Sequence, residues 1–265
     1  MKPCRQKKKQ GLMKILLCND DGVHAEGLWS LYEALSDKHS VVVVAPDRER
    51  TAASHSITLH VPIRVSEVLV NGRGSAFAVS GTPADCIKLA LTEVMQDRPD
   101  LVISGINPGA NIGVDINYSG TFAAAKEAAF FGITALAVSI AGRQPVHYSQ
   151  ASGFICKFSE IVMRKNLPGG TLLNINIPDL PLKQLRGVKV CKQYIRQMGE
   201  PLEKRKDPRD RVYYWYGQNS QIQEEDSNLD AVALKQNYIS ITPVKCDMTD
   251  YQLVDDLSSW HLRIE

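Results

Sequence analysis

No apolar run in this chain approaches the roughly 18–20 residues that a membrane helix needs. Polar residues continue from the start to Gly11, which leaves no apolar segment of the signal-peptide kind. The six cysteines, Cys4, Cys18, Cys86, Cys156, Cys191 and Cys246, are scattered and form no C-x-x-C pair. That spacing argues against both zinc binding and a disulfide scaffold. Charge of one sign is also scarce. The net charge is +2, and part of it sits in Lys2, Arg5, Lys7, Lys8 and Lys9, so the body is close to neutral and offers no electrostatic footprint for nucleic acid. A cytoplasmic protein without membrane or nucleic-acid partners is the expectation.

Several signatures are missing as well. Asn19-Asp20-Asp21-Gly22 stands where a nicotinamide enzyme would carry G-x-G-x-x-G, and there is no G-x-x-x-x-G-K-[ST] or G-x-S-x-G. An aspartyl-phosphate phosphatase needs a nucleophilic Asp two residues before a second acid, and that position is Asn19. A phospho-receiver domain needs an acceptor Asp after its third strand, where Ser104 and Asn107 stand.

What is present is an ordinary globular composition, 44% hydrophobic and 23% charged, on 265 residues, enough for a sizeable core. Strand-like and helix-like segments alternate. KILLC (14–18) and VVVVA (41–45) read as buried parallel strands, followed later by 101–103, 133–140 and 171–177. Helices are expected around 28–35, from Thr82-Pro83-Ala84-Asp85 onward, over 122–131 closed by Gly132, and over about 150–163. This is the pattern of a doubly wound α/β fold with a mostly parallel sheet. Residues 61–79 suggest an edge hairpin. Beyond Pro178, 188–194 and 211–216 look like two strands of a long hairpin around the charged stretch 203–210. A loop at 218–228, helices at 229–234 and 250–257 and a strand at 238–242 complete the reading. Three parts result: a flexible basic extension (1–12), a catalytic domain (13–180) and an accessory hairpin and oligomerisation region (181–265), partly packed on the core.

In such a sheet ligands collect outside the carboxyl ends of the strands, and three polar clusters fall there. Asp20 and Asp21 follow the first strand, and adjacent carboxylates repel unless a cation compensates; a hard divalent ion answers that, as does a plain capping turn. Residues 46–56, including Arg48, Arg50, Thr51, Ser54, His55 and Ser56, supply guanidinium and hydroxyl groups suited to phosphate, or a solvated loop held by Asp47–Arg pairs. Residues 104–113, with Asn107 and Asn111, lead through Ser119-Gly120-Thr121 into a helix N-terminus, where first-turn N–H groups cradle anions. Metal-assisted attack of water on a phosphate is the chemistry left standing.

ILLCNDDGVHAEG, VVAPDRERTAASHSIT, SGTPADC, SGINPGANIG, YSGTFAAAKEA and YISITP closely resemble the SurE family of stationary-phase survival proteins, from Met13 nearly to the end. The resemblance implies a Rossmann-like catalytic domain, an extended C-terminal region exchanged in homodimers or homotetramers, and hydrolysis of nucleoside 5′-monophosphates, with 3′-monophosphates and short polyphosphate as further substrates. It implies one divalent cation per subunit, Mg²⁺ or Mn²⁺, held by Asp20, Asp21, Asn107 and the second-loop hydroxyl, here Thr51 in place of the family's serine. Asp20, Asp21 and Asn107 are then the catalytic set. Asn111, Ser119, Gly120, Thr121, Ser54 and His55 are the expected phosphate-binding residues. Leu229 stands where a Thr often precedes Asp230, a departure expected to concern the accessory region. A nucleotide-sensing protein without turnover is the alternative on the same fold.

Overall fold

The computed structural model describes residues 12–70, 72–142, 144–195, 202–216, 226–260 and 264. The basic stretch Lys2–Lys9, Cys4 and most of the 218–228 loop lie outside the described residues. A nine-stranded sheet runs in the order β3-β4-β2-β1-β5-β6-β7-β11-β8. Its centre is parallel: β1 (Lys14–Cys18) lies between β2 (Ser40–Pro46) and β5 (Leu101–Pro108), and β6 (Ala135–Ala141) and β7 (Leu172–Pro178) follow.

Alternation along β1 explains the layering. Ile15 and Leu17 join Leu28, Leu31 and Ile155 in a core under α1 (Glu26–Ser36) and α4 (Tyr148–Lys165). Leu16 and Cys18 point the other way, onto Ile87, Ala124 and Ala128 of α2 (Pro83–Leu89) and α3 (Gly120–Phe130). A strand buried on both faces has no polar side to show, which is why KILLC reads as an unbroken apolar run. The alanines of α3 let that helix lie close to the sheet, with Ala123, Ala124, Ala125, Ala128 and Ala129 all buried.

The expected starts hold. Thr82 caps α2 in a full capping box with Asp85, and Pro83 opens the helix. The helix continues into a π turn over Ala90–Val94. Gly132, at φ 72°, follows α3 in the left-handed conformation that glycine tolerates best. β3 (Val65–Val70) and β4 (Gly74–Val79) form the expected antiparallel edge pair, β4 pairing parallel to β2.

One expectation fails. The strand of the 188–194 region, β8 (Gly187–Val190), does not pair with β10 (Val212–Tyr216). It lies parallel to β11 (Tyr238–Val244), which is antiparallel to β7 and extends the main sheet. The partner of β10 is β9 (Leu202–Lys206), drawn from the charged stretch itself. Every residue of both hairpin strands is exposed, so no buried face marked the register in the sequence. Between these pieces lies α5 (Asp230–Lys235), and α6 (Tyr251–Ser258), begun by its Asp250 cap, buries none of its residues. Among the described residues no helix is long and apolar enough to cross a membrane.

Candidate active site

From β1 the chain runs to β2, β3 and β4 on one side and then crosses back to β5 on the other, so the crevice at the carboxyl ends of β1 and β5 is a topological switch point. Asp20 and Asp21 occupy it. Asn19, fully buried, clamps the turn from beneath: its Nδ2 donates to Gly22 O at 3.0 Å, and its Oδ1 accepts from Gly22 N at 3.2 Å. The two acids are thereby presented at fixed positions. The N–H of Arg50 donates to Asp20 O at 2.7 Å, which brings the second loop onto the first.

The carboxylates differ. Asp20 is 4% exposed, and the Thr121 hydroxyl donates to its Oδ1. A Cβ on Gly120 would stand 2.7 Å from Asp20 Cβ, so only glycine lets the first turn of α3 close over this acid. Burial raises the Asp20 pKa, while the Thr121 hydroxyl and the N–H groups of Thr121 and Gly120 pull it back. Asp21 has no such support. Its Oδ2 is shut off from solvent without a hydrogen-bond partner. Burial first, then the negative charges of Asp20 and Glu49, push it up to about 7. A buried orphan carboxylate oxygen beside two more acids is what a divalent cation would satisfy, so these residues fit an oxygen-ligated ion.

Asn107 lies near the end of β5, beyond an irregularity in the β5–β6 pairing between Ser104 and Asn107, and the Gly105–Ile106 peptide there is cis. Its Nδ2 donates to Gly109 O at 2.7 Å, leaving Oδ1 as the acceptor for a cation. The exposed Thr51 hydroxyl donates to Glu49 Oε1. A hydroxyl that donates keeps its lone pairs, so that bond does not preclude ligation.

The expected phosphate-binding residues are mostly engaged in holding the loops. Asn111 is fastened to β6 and β7: its N–H donates to Asn176 Oδ1 at 2.8 Å and its Nδ2 to Ser139 Oγ at 2.9 Å. Its carbonyl accepts from Asn174 and Asn176. Ser119 caps α3, its Oγ accepting from Phe122 N at 3.1 Å. Ser54, at φ 54°, donates its hydroxyl to Asn117 O at 2.7 Å and its N–H to Tyr118 O at 3.0 Å. His55 Nε2 lies 2.8 Å from Glu127 Oε2, and its ring stacks on Phe130. Burial pushes the Glu127 carboxyl up, but the His55 hydrogen bond and the Lys88 ammonium outweigh it and hold the group below its ordinary value. Ser56 donates to Ala53 O at 2.7 Å. Ser54 and His55 thus stitch the second loop to the entry and body of α3.

A comparison with known proteins decides the family. The model described as "Survival protein SurE" matches residues 15–200. The chain belongs to the SurE family. It is 48% identical over 249 residues to "5'-nucleotidase SurE" of Desulfatibacillum aliphaticivorans, covering 94% of this chain and 98% of that protein. It is 47% identical over 254 residues to "5'-nucleotidase SurE" of Thermoanaerobacter sp. (strain X514), covering 96% and 100%. In structure it resembles the SurE protein from Aquifex aeolicus, with TM-score 0.82, 34% identity, and coverage of 93% and 99%.

Four further residues gather around these loops without having been given a role there from the sequence. Glu49 adds negative charge at Asp21. Tyr148 of α4 stands near enough that burial and the Asp21 charge push its phenol up to about 12. Asp230, which opens α5, accepts through Oδ2 from Gly113 N at 2.9 Å, at the end of the SGINPGANIG loop. Asp179, beyond β7, accepts from His147 just before α4 at 2.8 Å and secures the approach to Tyr148. Only the paired acids offered a local signal; the others arrive from distant segments.

Proposed function

We propose that this SurE-family chain hydrolyses nucleoside 5′-monophosphates with one hard divalent cation, Mg²⁺ or Mn²⁺, held by Asp20, Asp21, Asn107 and Thr51. The observation that carries the reading is the buried, unpartnered Asp21 Oδ2 set among Asp20 and Glu49 at the switch point. The nucleotidase names of relatives 47–48% identical over nearly the whole chain support the substrate class. A cation at these oxygens supplies positive charge that polarises a phosphate oxygen and acidifies water.

The rest is done by the protein. Asn19 and Gly22 fix the acids, and Thr121 with Gly120 partly offset the burial that raises the Asp20 pKa at the head of α3. Asp21 accepts the proton of the attacking water. The N-terminal end of α3, entered through Ser119, Gly120 and Thr121, favours the phosphate dianion through its dipole, with Asn111 as a further phosphate-binding residue. Ser54 and His55 keep the second loop closed on α3 beside that anion. The exposed VYYWY strand β10 and the wholly exposed α6 are the surfaces through which copies of the chain associate, as dimer or tetramer. Free Cys18, Cys86, Cys156, Cys191 and Cys246 suit a reducing cytoplasm.

Phosphate release from a panel of 5′- and 3′-nucleoside monophosphates and short polyphosphate tests this, with EDTA and with Mg²⁺ or Mn²⁺ restored. Release that stops with EDTA and returns with one ion is expected, strongest on 5′-monophosphates. Release unaffected by chelation, or none from folded, metal-loaded protein, overturns the reading.

A further inference from the structure

His39, Cys156 and Glu160 meet at the other end of the sheet from the phosphatase loops. His39 lies just before β2, where Ser40 pairs with Lys14 at the amino end of β1. Its own N–H donates to Leu35 O at 3.0 Å, which ties its backbone to the end of α1. Cys156 and Glu160 are four residues apart on α4 and therefore share one face of it. One turn earlier the hydroxyls of Ser30 and Ser152 bond at 2.9 Å and hold α1 and α4 in register.

We propose that these three side chains form a second cation site, of the zinc type, separate from the one at Asp20 and Asp21. An imidazole nitrogen, the Cys156 sulfur and a Glu160 oxygen all lie within 4.8 Å of one another. Bonds of about 2.0–2.3 Å to zinc ask for ligand separations of about 3.5 Å, so binding would draw these atoms together from within 4.8 Å. The independent observation is His39 itself: Nδ1 and Nε2 are both buried, and neither has a hydrogen-bond partner. A neutral imidazole ordinarily donates through one nitrogen and accepts through the other, and a metal bond would employ one of these unused atoms. Burial lowers the His39 pKa, which keeps the ring neutral and its lone pair available.

The ligand chemistry separates the two sites. Nitrogen, sulfur and carboxylate together suit zinc or a similar borderline ion, whereas the oxygen set at Asp20 suits magnesium or manganese. Cys156 is free and 5% exposed; burial pushes its thiol pKa up, so it would lose its proton to solvent only as the ion binds. Lys38 Nζ now sits 3.4 Å from Glu160 Oε1; being more than half exposed, it can turn into water when the carboxylate takes the ion. Three protein ligands leave the fourth position to water. Bound there, the ion would pin α4 to the α1–β2 turn.

Cobalt is the probe, because a thiolate–cobalt bond gives a near-ultraviolet charge-transfer band that an oxygen-only site cannot give. The full chain, stripped of metal and kept reduced, is titrated with Co²⁺. A band saturating within two equivalents per chain, the oxygen site taking the other ion silently, and displaced by Zn²⁺ is expected. Cys156→Ser should abolish it, and His39→Gln should weaken cobalt binding at least about tenfold. Asp21→Asn should leave the band unchanged. If a ligand variant fails to fold, Glu160→Gln replaces it with the same expected weakening. No band from folded wild-type protein in excess Co²⁺, or a band that survives Cys156→Ser, overturns the proposal.

Discussion

Asp230, at the β11 end of the sheet, and Asp21, at the β1–β5 switch point, are both acids drawn out of water, yet their surroundings differ. Asp230 is fully buried and accepts from Gly113 N and Tyr194 N at 2.9 Å and from Ala231 N at 2.8 Å. Burial raises its pKa and those N–H groups lower it again. Asp21 has an oxygen buried with no partner and two acids nearby. Satisfied, a buried carboxylate is a fastener; unsatisfied, it is a place held open for a ligand. Asp230 joins the 113 loop to the C-terminal segment, whereas Asp21 stands beside Asp20 and Glu49.

Substituting each acid separates the two roles. Asp21→Asn should remove turnover while the fold persists, because the amide lacks the charge for a cation and the basicity for a proton. Losing a single charge-stabilising group costs about 10²–10³ in rate, so a fall in kcat/KM of about 10³-fold or more is expected. Near-normal rates in the folded variant would assign Asp21 to structure. Asp230→Ala should act the other way round. Three N–H groups lose a buried acceptor, a destabilisation of about 3 kcal/mol and a Tm lower by about 6–12 °C. A Tm within error of wild type would show that water replaces the carboxylate without loss.

The same contrast has a pH signature. Below about 4 Asp21 is protonated whether the chain is folded or not, and up to about 7 it stays protonated only in the fold. The folded state binds more protons across that window, so in EDTA stability should fall as pH rises through it. Asp21→Asn should flatten the slope, and saturating Mg²⁺ should offset it. Thermal melts at several pH values measure this, and a stability that rises with pH in EDTA, with Asp21→Asn reversing the trend, would contradict the burial of an unpaired acid.

How far the sequence foretold these features follows the range of the interactions. β1 and β2 were legible because a doubly covered strand must be apolar throughout, and α2 because Thr82, Pro83 and Asp85 each serve the same helix start. The β9–β10 hairpin was misplaced because LEKRK has no hidden face to leave a period-two trace. Asp20 and Asp21 announced themselves by adjacency. Glu49, Asp230 and the His39–Cys156–Glu160 cluster did not, because each acts on a partner that only the folded chain brings near. The scattered cysteines form no C-x-x-C pair, and side chains gathered from a turn and a distant helix leave no such local trace.

A smaller effect is expected one step out from the acids. Glu127→Gln keeps the shape but weakens the hold on His55 and Lys88, loosening the second loop on α3. Supporting contacts of this kind cost about tenfold or more in activity or metal affinity, so a fall in kcat/KM of about tenfold is expected. An unchanged rate would free His55 from any part in closing the site.

Thr51 tests the contrast most finely, because it stands between the two kinds of group: its hydroxyl already donates to Glu49, yet retains lone pairs for an ion. Thr51→Ser preserves both functions and removes only the methyl that stiffens χ1. A rotamer preference of about 0.5 kcal/mol is at stake, equal to about a twofold change in cation Kd. Thr51→Ala removes the hydroxyl and should weaken the cation by more than Thr51→Ser does. Titrating Mg²⁺ and Mn²⁺ against activity in both variants reads the difference. If Ala and Ser behave alike, the Thr51 hydroxyl serves Glu49 alone, and the cation rests on Asp20, Asp21 and Asn107.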